Sequence, residues 1–425
     1  MIDIKALRDN PDLYIQAAQN KRIAADVPRL LEVDRQLKDA KAKLQEIATE
    51  KNRIGKSIPK LAGAEKDAAL ESLSRMKRDE EASQEAVKQL QPEFDALMLQ
   101  VPQPADPEVP VGKDDTENVE LREEGEIRQF DFEPKDHVQL GLALDIIDIE
   151  RGVKLAGTRN YFLKGDGALL HWAVLRFAVD FMVGRGYTPM SVPLLMRDEA
   201  MQGTGYYPGS EEQTYRVEKD ELSLAGTAEV PLTAYHMGEI VQEQELPLKF
   251  VALSSCFRRE AGAAGKDTYG LYRIHQFDKV EQVIVCKNSD EESAAFHEEI
   301  QANSEGVMQA LGLPYRVVAV CTGDLGRGQA KKYDIEAWMP SRENYCETHS
   351  ASKFYDFQAR RMNLRYKETQ TKKNRFCHTL NNTVIASPRV LIPLMELYQN
   401  ADGSITVPEV LRPYMGGKEK IVAGS

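Results

Sequence analysis

Cys256-Phe257-Arg258-Arg259-Glu260 and, beyond a run of small and flexible residues (AGAAGKDTYG, 261–270), Arg273-Ile274-His275-Gln276-Phe277 form the stretch on which the reading of this chain turns. Two strands of a hairpin with these residues present arginines, a carboxylate and an aromatic ring on one face, because strand side chains alternate. Arg258 can fork onto a phosphate or a carboxylate, Glu260 can accept from an amino group, and Phe277 can stack on a purine. A surface hairpin laced with ion pairs has a similar composition. The arginine and phenylalanine spaced four apart in the return strand favour the binding reading.

Around this stretch the texture is that of short β-rich runs at 248–253, 280–286, 315–321 and 333–339. Helical patterns fall at 169–183, 291–311 and 352–361. Strand runs often follow one another without a helix between them, which predicts an α+β fold on a largely antiparallel sheet rather than regular βαβ alternation. With 425 residues and 42% apolar content the chain is too long for one compact core and too apolar for disorder, so two domains are expected. The proline-rich connector at 101–110 separates them, giving domains at 1–105 and 106–425.

The N-terminal part has a different period. Apolar residues step by seven through Leu30, Leu37, Leu44, Lys51 and Ile58, with Ala40, Ile47, Ile54 and Leu61 offset by three. After a break at Pro59 and Gly63 the pattern resumes with Leu73, Glu80, Val87, Phe94 and Val101, and with Met76, Ser83, Leu90 and Leu97. This predicts two long helices, over about 29–100, paired as an antiparallel coiled-coil arm. Residues 29–100 carry 14 basic and 14 acidic side chains in a chain of net charge −12. Positive charge gathers at Lys51, Arg53, Lys56 and Lys60, with no acid after Glu50 in the first helix, so this end of the arm could meet phosphates. The exposed positions of any coiled coil are also rich in Lys and Glu, and charge alone does not separate the two readings.

Several classes are excluded or disfavoured. The five cysteines at 256, 286, 321, 346 and 377 show neither a CxxC pair nor metal-ligand spacing, and read as reduced thiols of a cytoplasmic protein. The best apolar stretch, 169–183, is interrupted by Arg176 and Asp180 and is too short to span a bilayer, so no membrane association is expected. No Walker or dinucleotide-binding glycine motif occurs; Gly262 to Lys266 lacks both the spacing and the following hydroxyl.

The arginine-rich hairpin resembles the second signature motif of class II aminoacyl-tRNA synthetases, whose catalytic domain is an antiparallel β-sheet flanked by helices. Gly186-Tyr-Thr-Pro-Met-Ser-Val-Pro193 resembles their first motif, which implies a homodimer. Within the class, the chain is most similar to bacterial seryl-tRNA synthetases over nearly its full length. The resemblance extends to Thr227-Ala228-Glu229-Val230-Pro231-Leu232, Phe277-Asp-Lys-Val-Glu281, Asp356-Phe-Gln-Ala-Arg-Arg361, Val407-Pro-Glu-Val-Leu-Arg-Pro-Tyr414 and the N-terminal arm.

That resemblance implies activation of L-serine by ATP, with Mg²⁺, followed by transfer to tRNA(Ser); it leaves tRNA(Sec) open as a second acceptor. The catalytic residues would be Arg258, Glu260 and Arg389. Serine would meet Thr227, Ala228 and Glu229 around its ammonium, Arg258 at its carboxylate, and Glu281 and Thr383 at its hydroxyl. ATP would meet Arg258, Arg259, Glu260, Arg273, Phe277, Glu347, Ser350 and Arg389, with Glu347 and Ser350 also holding the metal. His349, between them, reads as a packing residue rather than a base. The third motif, Asn381-Asn-Thr383-Val-Ile-Ala-Ser-Pro388-Arg389, keeps the arginine but is poorer in glycine than the class pattern. Two other readings stay open at this level: an ATP-dependent ligase that loads an amino acid onto a carrier protein, which usually lacks the arm, and a non-catalytic RNA-binding paralogue.

Overall fold

The structure is a computed structural model that describes residues 1–262, 267 and 269–424; the part of the glycine run at 263–266 lies outside the described residues. The chain divides into two compact units, one of residues 2–102 and one of Met1 with 103–425.

The first unit is all helical. Helices α1 (Ile4–Asp9) and α2 (Pro11–Asn20) precede α3 (Val27–Ser57) and α4 (Ala64–Gln100). Asp26 caps α3 by accepting from the Arg29 amide, and Pro28 occupies the first turn, where its missing N–H costs nothing. The turn into α4 uses Gly63 at φ 57°, a left-handed conformation that suits glycine. With 31 and 37 residues, α3 and α4 are about 45 and 55 Å long. Their heptad positions from Leu30 to Ile58 and from Leu73 to Leu97 are all buried or half-buried. The two charged residues in the seam pair with each other, Lys51 Nζ lying 2.6 Å from Glu80 Oε2. Together with Lys41 to Gln91 at 2.7 Å, this sets an antiparallel register.

In the second unit, among the described residues, eight strands form the main sheet: β1 (Val119–Glu124), β2 (Thr188–Met190), β3 (Leu248–Phe257), β4 (Gln276–Cys286), β5 (Tyr315–Ala319), β6 (Lys331–Met339), β7 (Asn344–Lys353) and β8 (His378–Ser387). Their spatial order is β1-β5-β6-β7-β8-β4-β3-β2. Every pairing is antiparallel except β2 with β3 at the edge. Helices α5 (Gly165–Val183) and α7 (Asp290–Ala310) cover one face; Leu170, Val174, Ala178, Ile300, Val307 and Met308 pack there against Val280, Ile284 and Val384. On the other face, Val283 and Val285 of β4 lie under the short helices α6 (Glu229–Thr233) and α8 (Phe357–Met362). Further along that face β4 carries Phe277, Lys279 and Glu281, which border a cleft.

One helical expectation fails. Ser352 and Lys353 belong to β7 instead of a helix over 352–361, because they pair in register with Asn381 and Leu380 of β8. The Lys353 ammonium is also buried against Asp106, which ties this strand end down and leaves only Phe357–Met362 helical.

Two irregularities shape the cleft. Along β6 and β7, His349 faces Ile335 but Glu347 faces Glu336, so Thr348 is an extra residue. Along β4 and β8, Glu281 faces Thr383 while Val280 faces Ile385, so Val384 is extra. Such bulges reverse which face the following side chains take. Ladder pairing of β7 with β8 runs from Lys353–Leu380 to Ala351–Asn382 and goes no further. His349 bridges the strands beyond that point, its Nε2 donating to the Val384 carbonyl at 3.0 Å while Nδ1 meets Thr348 Oγ1 at 2.8 Å. Burial pushes its pKa down to about 4, so the ring is neutral.

Candidate active site

A cleft of about 230 Å³ opens on the β4, β7 and β8 face. One end is built from Glu229, Glu281, Lys279, Thr383 and Tyr206. The other holds Phe277, Arg273, Glu260, Tyr272, Glu347, Ser350 and Arg389, with Arg258 also on the wall.

At the first end, Glu229 begins α6, and both of its carboxylate oxygens are occupied. Tyr206 Oη donates to Oε2 and Gln358 Nε2 to Oε1, each at 2.9 Å. Gln358 is held in turn by Thr379 Oγ1, which donates to its Oε1 at 2.5 Å. Burial, and then the neighbouring Glu281 charge, raise the Glu229 pKa to about 7; Tyr206, Lys279 and Gln358 pull against that rise. Glu281, on β4, is buried beside Thr383 Oγ1 at 3.5 Å, and the Lys279 ammonium pairs with the same oxygen, Oε2.

At the second end, Arg258 leaves β3 with its guanidinium 5.2 Å above the Phe277 ring and its Nε 3.4 Å from the Gly226 carbonyl. Glu260 accepts from Arg273 Nη1 at 2.7 Å. Arg389, just after β8, stacks over Tyr272 at 4.3 Å and donates from Nη1 to the Glu347 carbonyl at 2.9 Å. Enclosure by protein works to raise the Glu347 pKa, but the charges of Arg389, Lys332, Arg258 and Arg273 outweigh it, and the carboxyl titrates below its usual value. Glu347 and Ser350 are three apart in sequence yet line the same cleft, which the extra residue Thr348 makes possible.

The structure therefore brings Arg258, Glu260, Arg273, Phe277, Glu229, Glu281, Thr383, Glu347, Ser350 and Arg389 around one cavity. Thr227, Ala228 and Arg259 do not line it. Thr227 is buried and its Oγ1 accepts from the Glu229 amide at 3.1 Å, while Ala228 packs in the apolar cluster under α6. Arg259 is exposed, with its amide bonded to the Gln213 carbonyl. Lys279, Tyr206, Gln358 and Tyr272 escaped the sequence reading. Lys279 and Tyr272 each lie within two residues of a recognised position, and strand alternation from Glu281 back to Phe277 was the signal that would have found Lys279. Gln358 lies in the quoted stretch Asp356–Arg361, where nothing local ties it to Glu229, and Tyr206 comes from a distant segment that left no local signal.

On the arm, the basic residues separate. Thr49, Asn52, Arg53, Lys56, Ser57 and Lys60 share one concave surface, and Lys51 is instead turned into the seam against Glu80. Arg53 is also paired, with Glu50 at 2.5 Å, but remains largely exposed.

An antiparallel sheet with an arginine-bearing strand pair at one side of a cleft and a second arginine after the neighbouring strand defines the class II aminoacyl-tRNA synthetase core. Residues 213–398 match the class II core domain shared by synthetases for G, H, P, S and T, and residues 1–104 match the seryl-tRNA synthetase N-terminal domain. The serine–tRNA ligase of Deinococcus radiodurans is 46% identical, over 99% of this chain and 98% of that one; that of Symbiobacterium thermophilum is 43% identical, over 97% and 98%. The seryl-tRNA synthetase of Pyrococcus horikoshii complexed with ATP superposes with a TM-score of 0.94 at 36% identity, covering 100% of both chains. The cytoplasmic enzyme of Naegleria fowleri in complex with AMP gives 0.87 at 33%, over 98% and 96%. The chain belongs to the seryl-tRNA synthetase family.

Proposed function

We propose that this protein activates L-serine with ATP, forming seryl-adenylate and pyrophosphate, and then transfers the seryl group to the 3′ end of tRNA(Ser). The observation that carries the reading is the single cleft in which a buried acidic pocket, Glu229 with Glu281 and Thr383, adjoins a cationic wall of Arg258, Arg273 and Arg389. The acidic end suits an ammonium and a hydroxyl donor; the cationic end suits phosphates. Phe277 offers a face for the adenine ring, and Glu260 an acceptor for its amino group. Serine's carboxylate attacks the α-phosphorus directly, so the enzyme need supply no nucleophile. The five cysteines are buried, in keeping with this. Positioning, and charge stabilisation by Arg258 and Arg389, do the catalytic work.

Glu347 and Ser350 fit a Mg²⁺ site: one carboxylate held ionised and one hydroxyl, on the same wall, suit a hard cation that keeps waters and phosphate oxygens as its remaining ligands. When bound, the ion would neutralise charge on the phosphates. Arg53, Lys56 and Lys60 would meet the tRNA backbone, within an N-terminal tRNA-binding domain at 1–105, and tRNA(Sec) is a second acceptor to test. A homodimer is supported by apolar exposure on α5, where Trp172 is 62% exposed with Leu169 one turn before it. Among the described residues no helix is long and apolar enough to cross a membrane; we place the protein in the cytoplasm, where its RNA substrate is made.

The test is ATP–pyrophosphate exchange with each of the twenty amino acids without RNA, then charging of total tRNA with the best one. Serine-dependent exchange followed by charging is expected. Exchange with a different amino acid, or exchange without charging, would overturn the reading.

A further inference from the structure

Lys279 is an unusual residue for its place. It lies in the middle of β4 at only 6% exposure, between Phe277 at the cationic end of the cleft and Glu281 at the acidic end. A lysine loses its water at such a site only where a partner compensates. Its partner is Glu281 Oε2. The same oxygen receives Thr383 Oγ1 at 3.5 Å, so both protein donors converge on Oε2, and among the described residues no donor is assigned to Oε1. The pocket holds a second buried carboxylate, Glu229, whose ionisation Glu281 opposes and Lys279 favours.

We infer that Lys279 is the positioning residue that sets selectivity for the amino-acid hydroxyl, by anchoring Glu281 through Oε2 and leaving Oε1 as a fixed acceptor. This rests on the serine reading of the same pocket. Discrimination against alanine differs from binding strength in general. A site that has committed a buried acceptor to a substrate hydroxyl rejects the analogue lacking it, because the acceptor is then left unpaired. That penalty exists only while the Glu281 carboxylate is anchored and cannot turn elsewhere. Without the ammonium, two carboxylates share one dry pocket and proton uptake there becomes more favourable than in the parent. The resulting acid can bond to its neighbour, and an empty hydroxyl position no longer costs anything. Lys279 acts through Glu281 and touches no reacting atom in this account.

The experiment is pyrophosphate exchange by full-length Lys279→Met, Lys279→Arg and the parent, with serine and alanine as competing substrates and ATP varied separately. The parent must first show serine-dependent exchange; if it does not, the functional reading itself fails. For Lys279→Met, the ratio of kcat/KM for serine over alanine is expected to fall at least about tenfold. KM for serine rises, KM for ATP stays within about twofold, and Lys279→Arg recovers much of the ratio. An unchanged serine-to-alanine ratio, or equal losses toward serine and ATP, would overturn the inference and make Lys279 a structural or phosphate-binding group. If Lys279→Met does not fold, Lys279→Gln, which keeps a hydrogen-bond donor and loses the charge, carries the same comparison.

Discussion

The proposed pairing of Glu229 with the serine ammonium predicts a pH dependence of serine binding that can be worked out from the surroundings of Glu229. In the empty pocket its pKa is raised from 4.5 to about 7, first by burial and then by Glu281. Holding it ionised there costs about 3 kcal/mol relative to water. The serine ammonium supplies the missing counter-charge, so binding selects the ionised form. Below pH 7 a proton must leave as serine arrives, and affinity therefore falls as pH falls. At pH 6 only about one-tenth of the free enzyme has Glu229 ionised, so KM for serine is expected to be about tenfold higher than at pH 8. Serine itself remains zwitterionic across this range. The titratable groups around Glu229 are Glu281, Lys279 and Tyr206; of these Tyr206 is driven well above its usual value, chiefly by burial, and does not titrate in the window. The assay is pyrophosphate exchange from pH 5.5 to 8.5 with ATP saturating, paired with calorimetry in buffers of different ionisation enthalpy to count released protons. Glu229→Gln should flatten the acid limb and raise KM throughout. A KM for serine that stays constant from pH 5.5 to 8.5 in the folded parent, with no proton release, would refute the assignment of Glu229 to the ammonium.

Arg258→Ala should slow adenylate formation by orders of magnitude, because a charge-assisted contact to the reacting groups is lost; unchanged exchange would remove Arg258 from the mechanism. Deleting roughly residues 40–90 should spare exchange and abolish tRNA charging, and the Lys41–Gln91 contact shows that the flanking ends are neighbours that a short turn can rejoin. Charging by the truncated protein at the parent rate would show that the arm is dispensable. Lys56→Ala and Lys60→Ala should each weaken tRNA binding and flatten its dependence on log salt by about one unit, whereas Lys51→Met should leave the slope unchanged because Lys51 is engaged with Glu80. Trp172→Asp should shift the protein toward monomer in sedimentation equilibrium; an unchanged mass would exclude this face of α5 from the subunit contact.

The seryl-type site was legible to the extent that its residues sit in short contiguous motifs. Arg258, Glu260, Arg273 and Phe277 come from one contiguous stretch, which is why they could be named together, although only Phe277 lies on a strand and the other three sit in the connection between β3 and β4. The arm was equally open, since a seven-residue repeat is a local property; even its two charged seam positions, Lys51 and Glu80, were visible as interruptions, and only the structure shows that they answer each other. What a motif does not give is how its side chains divide between the cleft and the support beneath it. In the Thr227-Ala228-Glu229 motif only Glu229 lines the cleft; Thr227 Oγ1 accepts from the Glu229 amide and Ala228 packs under α6.

By itself, then, the sequence determined the antiparallel arm, the α+β body and ten of the residues that surround the cleft. Tertiary structure decided which of them face one another. Glu347 and Ser350 are three apart, as are Thr383 and Ala386, and a regular strand would send the members of each pair to opposite faces. They line one cleft because Thr348 and Val384 are extra residues in their ladders. A bulge depends on whether neighbouring strands leave a carbonyl for something else to satisfy, here the Val384 carbonyl taken by His349. The same holds for the Tyr206 and Gln358 hydrogen bonds that orient Glu229 from segments 23 and 129 residues away. Side-chain alternation is a rule of the local chain, whereas hydrogen-bond satisfaction is a property of the folded neighbourhood, and the second governs the geometry of this site.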